Sequence, residues 1–228
     1  MRTQQAAKPL DFQRHGAEHH RGAIASQLSE LRTTLAHVPN DRAGVRITGL
    51  ESLRPLIAAT GAIGSIAAAV LGPDAKAVRA IHFDKTVDTN WALAWHQDRT
   101  ICVRRRVVFA GFGPWTVKQG LLHVAPPFDL LTRMVTLRVH LDDVPQDNAP
   151  LRIAPGSHTF GRVATGSIAE IVGLCGEQIC LAEAGDVWLY ATPILHASDE
   201  ASAPVRRRVL QIDYAAEHLP GGLEWFGV

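Results

Sequence analysis

From Val78 onward the chain is cut into short β-rich runs, and this succession constrains the fold more than any other feature. The runs are Val78–Phe83, Ile101–Phe109, Met134–Leu141, Leu151–Ala154, Gln178–Leu181, Asp186–Ala191 and Val205–Tyr214, bounded by Pro, Gly, Asn and Asp. Segments this short cannot each be a helix of ordinary length. Closely spaced strands separated by turn residues predict an antiparallel sandwich or barrel.

The first third reads differently. Ile24, Leu28, Leu31 and Leu35 recur at three- and four-residue steps and predict a helix over Gly22–His37. Leu50–Leu71 predicts two helices split near Thr60-Gly61, with Gly72-Pro73 as the stop. The expected organisation is one domain over residues 1–228, with a helical region (1–77) packed on a β-barrel core (78–228). Neither repeats nor low-complexity segments interrupt it.

Composition excludes some classes. Hydrophobic residues at 46% and charged residues at 20% fit a globular chain and not a disordered one. A formal net charge of +1 gives no reason to expect nucleic acid or an anionic membrane as partner. Cys102, Cys175 and Cys180 are odd in number and lack metal-ligand spacing, which fits a reducing, cytoplasmic setting. Met1-Arg2-Thr3-Gln4-Gln5 carries no apolar signal core. The longest apolar stretch, Ala62–Leu71, falls short of the ~20 residues a spanning helix needs. The oligomeric state is left open.

The chemistry concentrates in two motifs. In Trp95-His96-Gln97-Asp98 an extended backbone turns His96 and Asp98 to one side and Gln97 to the other. His196 comes from a distant strand. Two imidazoles and a carboxylate on one face of an octahedral metal leave three adjacent positions open, the donor set of non-haem Fe(II) oxygenases. Two basic runs differ in promise. Arg104-Arg105-Arg106 reads as a solvated strand end. Arg206-Arg207-Arg208 follows His196 by ten to twelve residues and offers a planar, two-pronged partner to a carboxylate. Alternation groups Arg207 with Val209, Gln211 and Asp213, and Arg208 with Leu210, Ile212 and Tyr214, without saying which set faces a metal.

Together these motifs resemble the phytanoyl-CoA dioxygenase family, a branch of the double-stranded β-helix (jelly-roll, cupin-like) oxygenases. The matching pieces are Trp95-His96-Gln97-Asp98, Leu141-Asp142-Asp143, Pro155-Gly156-Ser157-His158, Gly185-Asp186, His196-Ala197-Ser198 and the run from Arg207 to Tyr214. The resemblance covers roughly Val78 to Ala216. It implies Fe(II), 2-oxoglutarate and O2 as cofactor and cosubstrates, with succinate and CO2 as co-products. It implies His96, Asp98 and His196 as iron ligands. Arg207, eleven residues after His196 and seven before Tyr214, would hold 2-oxoglutarate with Ser198 and Arg138; a shift to Arg206 stays open. The presence of Asp98 favours hydroxylation over halogenation, with desaturation and ring closure still open. One departure stands out: Asn148-Ala149 occupies the place of the family's usual Asn-Gly step.

The segment from Gly111 to Pro127 reads as a turn-rich lid loop. It offers Trp115, Lys118, Gln119 and His123 to a substrate, and Lys85 and Gln211 are further substrate candidates. The expected substrate is a small metabolite. A nucleic-acid demethylase of the same superfamily would carry a second arginine six residues beyond the first, where this chain has Ile212, Asp213 or Tyr214. The alternative of a different class is a catalytically silent module that binds metal and 2-oxoglutarate as a sensor.

Overall fold

The structure, a computed structural model, describes residues 9–40, 42, 44–203 and 205–228. Its strands in chain order are β1 (Ala17–His20), β2 (Gly44–Ile47), β3 (Lys76–Lys85), β4 (Leu93–His96), β5 (Ile101–Cys102), β6 (Trp115–Lys118) and β7 (Leu121–Val124). They continue with β8 (Val135–His140), β9 (Leu151–Ile153), β10 (Gln178–Cys180), β11 (Val187–Ala191), β12 (His196–Ser198) and β13 (Arg207–Ala215).

Three antiparallel sheets result. The major sheet runs β1-β11-β8-β13-β3-β2, the minor sheet β10-β9-β12-β4, and a small third sheet β5-β7-β6. Strand alternation gives the major sheet two faces of opposite character. One carries Val135, Leu137, Val139, Leu189, Leu210, Ile212 and Tyr214, and buries them against the helices Leu28–Leu35 and Gly64–Leu71. The other turns toward the minor sheet. There Trp188 and Tyr190 pack with Leu151, Ile153 and Cys180. This is the jelly-roll architecture expected, with helices outside and a largely polar interior between the two sheets.

The first third departs from the expected all-helical region. Ala17–His20 and Gly44–Ile47 are the two edge strands of the major sheet. The helix expected over Gly22–His37 is shorter: a 3-10 turn at Ala25–Gln27 leads into an α-helix at Leu28–Leu35. Asp186 explains the departure at β1. Its carboxylate accepts hydrogen bonds from the backbone N–H of Gly22 at 2.7 Å, from the N–H of Glu183 at 2.9 Å and from His19 Nε2 at 2.9 Å. The preceding Gly185 has φ +98°, and a side chain there would press on the Ala25 backbone at 3.1 Å. The split near Thr60-Gly61 is present, between helices Arg54–Ile57 and Gly64–Leu71. The first eight residues and Asp41 lie outside the described set. Among the described residues, no helix is long and apolar enough to cross a membrane.

The expected strand Ile101–Phe109 stops at Cys102, with one further bridge from Val103 to Trp225. Arg104, Arg105 and Arg106 then take the chain into solvent, as their charge dictates. The expected lid loop is a hairpin instead. Its two-residue turn, Gln119-Gly120, has φ of +49° and +78°, the backbone that matches strand twist in tight hairpins.

Candidate active site

The minor sheet sets the two imidazoles side by side. His196 is directly opposite His96 in the β4–β12 pair, with ring centroids 4.2 Å apart. Each Nδ1 lies against the carbonyl two residues earlier, Ala94 at 2.8 Å and Ile194 at 2.9 Å. Donation from Nδ1–H to these carbonyls fixes the tautomer and leaves both Nε2 lone pairs for a metal. Asp98 follows just past the end of β4. Its carboxylate and the two rings offer ligand atoms that all lie within 4.8 Å of one another. Gln97 points away, as the alternation predicts. Its amide donates to the carbonyls of Gly161 and Pro193, both at 2.9 Å, and accepts from Val163 N–H at 3.0 Å. Ser157, from the Pro-Gly-Ser-His piece, accepts from Leu195 N–H at 2.8 Å and so fixes the approach to His196.

The electrostatics suit a cation. Burial, then neighbouring His96, pushes His196 down to about 4, although Asp98 works the other way. The ring is therefore neutral and free to coordinate near pH 7. Burial would raise the Asp98 carboxyl, but Arg79 and the two imidazoles outweigh it and hold it at about 2. Two imidazoles and one ionised carboxylate on a single side fit Fe(II).

Arg79 is the residue the sequence reading missed. It is buried on β3, with Nη2 3.3 Å from Asp98 and Nε 2.5 Å from Asp213. Asp213 also accepts from Thr136 Oγ1 at 3.1 Å. Burial disfavours the Arg79 charge, and the two carboxylates more than restore it. The signal was parity: Arg79 shares the alternation of Lys85, and Asp213 that of Arg207.

At the other end of these strands the cations lack acids. Lys85 and Arg207 are directly opposite in the β3–β13 pair, and Arg138 is opposite Gln211 on β8. Arg207 is only 2% exposed; its Nη1 donates to the carbonyl of Ala149 at 2.6 Å and its Nε has no partner. Arg138 donates to Gln211 Oε1 at 3.3 Å and lies 5.3 Å from the Phe83 ring centre, with Nε unpartnered. Lys85 donates to the carbonyls of Trp91 at 2.5 Å and Asp199 at 3.1 Å, and reaches Ser198 Oγ at 3.5 Å. Among the described residues no carboxylate pairs with any of the three. Burial, then Arg207 and Arg138, depresses Lys85 to about 7. Burial, then Arg138, depresses Arg207 to about 9. The flanking arginines of the basic run face outward: Arg206 pairs with Asp84 at 2.8 Å and Arg208 with Asp142 at 2.6 Å.

The remaining expected substrate residues separate. Gln211 lies on the inner face beside Arg138. His123 is fully buried on the polar face of the third sheet, with Nδ1 3.0 Å from the Leu121 carbonyl and Nε2 unpartnered. Trp115 takes the opposite face of that sheet. It packs there with Ile101, Val103 and Val124, under the Arg106 guanidinium, and is not brought to the triad. Ala149 has φ +52°, so the chain keeps a glycine-type backbone where the Asn-Gly step was expected.

A jelly roll with a convergent His-Asp-His set, His196 buried and the other two half-buried, and an adjoining group of buried cations without acid partners among the described residues defines the class of Fe(II)/2-oxoglutarate-dependent dioxygenases. The family model for phytanoyl-CoA dioxygenase matches residues 51–209, and the chain belongs to that family. It is accordingly a 2-oxoglutarate-dependent dioxygenase using iron and 2-oxoglutarate. Solved structures share the fold at low identity. EctD from S. alaskensis, solved with 2-oxoglutarate and 5-hydroxyectoine, is 18% identical with a TM-score of 0.68, over 98% of this chain and 82% of that one. The epimerase SnoN, solved with Fe3+, alpha ketoglutarate and nogalamycin RO, is 18% identical with a TM-score of 0.62, over 92% and 88%. HygX from Streptomyces hygroscopicus, solved with nickel, 2-oxoglutarate and hygromycin B, is 14% identical with a TM-score of 0.60, over 90% and 84%. No curated protein matches by sequence.

Proposed function

We propose that this enzyme hydroxylates a small-molecule metabolite, with His96, Asp98 and His196 as iron ligands and Arg207, Ser198 and Arg138 as the 2-oxoglutarate site. The observation that carries the reading is the pairing of a convergent His-Asp-His set with three buried, acid-free cations on the facing sheet. Iron with 2-oxoglutarate and O2 supplies the oxidising power for oxygen insertion into a C–H bond, releasing succinate and CO2.

The chain's own residues bind and orient. The Ala94 and Ile194 carbonyls hold the imidazoles in one tautomer. Arg79 holds the Asp98 carboxylate ionised and in place. Arg207 takes the far carboxylate of 2-oxoglutarate, with Ser198 as a hydroxyl partner and Lys85 beside it, while Ala149 fixes the guanidinium. The apolar packing of Trp188, Tyr190, Leu151 and Ile153 limits water at the site. The small molecules held by EctD, SnoN and HygX support a small-molecule substrate here.

The test is succinate formation from 2-oxoglutarate with Fe(II) in air. The wild-type protein should release succinate and His196→Ala should not. Equal release from both would refute the ligand assignment. Arg207→Ala should raise the Kd for 2-oxoglutarate, read anaerobically, by about a hundredfold, the effect of removing a buried charge-assisted partner.

A further inference from the structure

A second set of cations lies on the other side of the triad and is not used by the cosubstrate site. Arg46 on β2 is opposite Ile81, which is opposite Gln211, so its side chain is on the inner face of the major sheet with Arg79. The third sheet closes over it. Its apolar face (Ile101, Val124, Leu122, Trp115) packs into a core of its own. Its other face carries Cys102, Thr116, Lys118 and His123, as the β5–β7 and β6–β7 registers dictate. Gln119 at the hairpin tip donates to the Gly44 carbonyl at 2.7 Å and accepts from the Arg46 N–H at 3.3 Å, which locks the hairpin onto β2.

The charges here are left over. Arg79 is shared between Asp98 and Asp213. Arg46 has no acid partner among the described residues, and its Nε is buried with no hydrogen bond. Lys118, exposed on the hairpin, makes one side-chain hydrogen bond among the described residues, to Thr100 Oγ1 at 3.4 Å. His123 is fully buried with a free Nε2. Arg46 and Lys118 both lie close enough to Asp98 and Arg79 to feel their charge, and His123 feels Arg46, Arg79 and Lys118. Arg46 is half-buried and Lys118 is exposed, but the Arg46 Nε is shielded from water, and a polar atom so placed is costly unless a ligand supplies its acceptor.

We propose that Arg46 and Lys118 form a subsite for an oxyanion of the substrate (a carboxylate, a sulfate or a phosphate monoester) beside the metal, with His123 next to it as an acceptor for a neighbouring substrate donor. The proposal rests on the oxygenase reading and adds a substrate class to it. Arg46 provides the planar fork and Lys118 an adjustable ammonium at the hairpin, while His123, with Nδ1–H given to the Leu121 carbonyl, presents a lone pair that accepts from a substrate hydroxyl or N–H next to the anion. The hairpin then acts as a specificity element, and Trp115 only anchors it.

The experiment uses the full chain loaded anaerobically with Ni(II) and saturating 2-oxoglutarate, titrated with sulfate and, separately, acetate, by equilibrium dialysis. One saturable site per chain for at least one of these anions is expected at millimolar concentrations. The tighter of the two identifies the kind of oxyanion. Arg46→Gln should weaken it about tenfold, the worth of one charge-assisted bond. Arg46→Lys should retain most of it, which separates lost charge from misfolding. Absence of a saturable site for both anions, or binding indifferent to both Arg46→Gln and Lys118→Gln, overturns the proposal. Binding of 2-oxoglutarate, read in the wild-type protein before any anion is added, reports separately on the oxygenase reading.

Discussion

The two ends of strands β3 and β13 treat buried arginine in opposite ways. At one end Arg79 sits between two carboxylates, Asp98 and Asp213. At the other Arg207 faces Lys85 and Arg138 with no carboxylate paired to it among the described residues. The first arrangement is complete in the free protein and, on the proposed assignment, orients an iron ligand. The second is incomplete and, on the same assignment, is completed by the far carboxylate of 2-oxoglutarate. A buried charge that is paired and one that is not are both "buried arginine" in a sequence, yet they imply different functions.

Substitutions can break this contrast. The largest effect is expected at the triad: Asp98→Ala should lower succinate release by more than about a hundredfold, measured at saturating 2-oxoglutarate. Next, Arg79→Met should destabilise the protein by about 3–5 kcal/mol in urea unfolding, because Asp213 would be buried without its cation. Arg207→Met should show no such loss in the free protein and should forfeit the stabilisation that 2-oxoglutarate gives the wild type. Equal destabilisation by the two would erase the contrast.

Lys85 sharpens it through pH. Its folded pKa of about 7 lies below the ordinary lysine value of 10.5. The unfolded chain therefore binds more protons between those values, and stability of the free protein should rise as pH increases from about 7 toward 10. Lys85→Met should flatten that rise, followed by denaturation midpoint against pH. Conversely, 2-oxoglutarate favours the protonated ammonium, so its affinity should fall over the same range. The smallest effect is at Ala149: replacing it by Gly should stabilise by about 1 kcal/mol, since a left-handed backbone burdens Ala but not Gly.

Much of this was legible in the sequence because it depends on alternation and order. The β-rich runs after Val78, the His96/Asp98 pairing with Gln97 turned away, and the basic run after His196 all follow from a two-residue period. What stayed hidden depends on tertiary partners. Ala17–His20 has little strand propensity of its own and is extended because β11 and Asp186 hold it there. The hairpin at Gln119-Gly120 lacks the Asn-Gly signal of such turns and read as a loop. Arg207 could not be told from Arg206 by composition; the pairing of its neighbours with Asp84 and Asp142 on the opposite face shows that it points inward. Arg79 looked like an ordinary charged residue in a short β run and Arg46 fell in no expected element, and nothing local revealed that the third sheet packs over them.

The facing histidines carry a mechanical consequence. His96 belongs to β4, the outermost strand of the minor sheet, and His196 to its single neighbour β12. Iron gripped by both rings would therefore act as a clasp across an open margin, joining a strand free to fray to one that is not. Loading the ion should slow amide exchange along Leu93–His96 more than in the sheet interior, and stripping it should loosen that margin first.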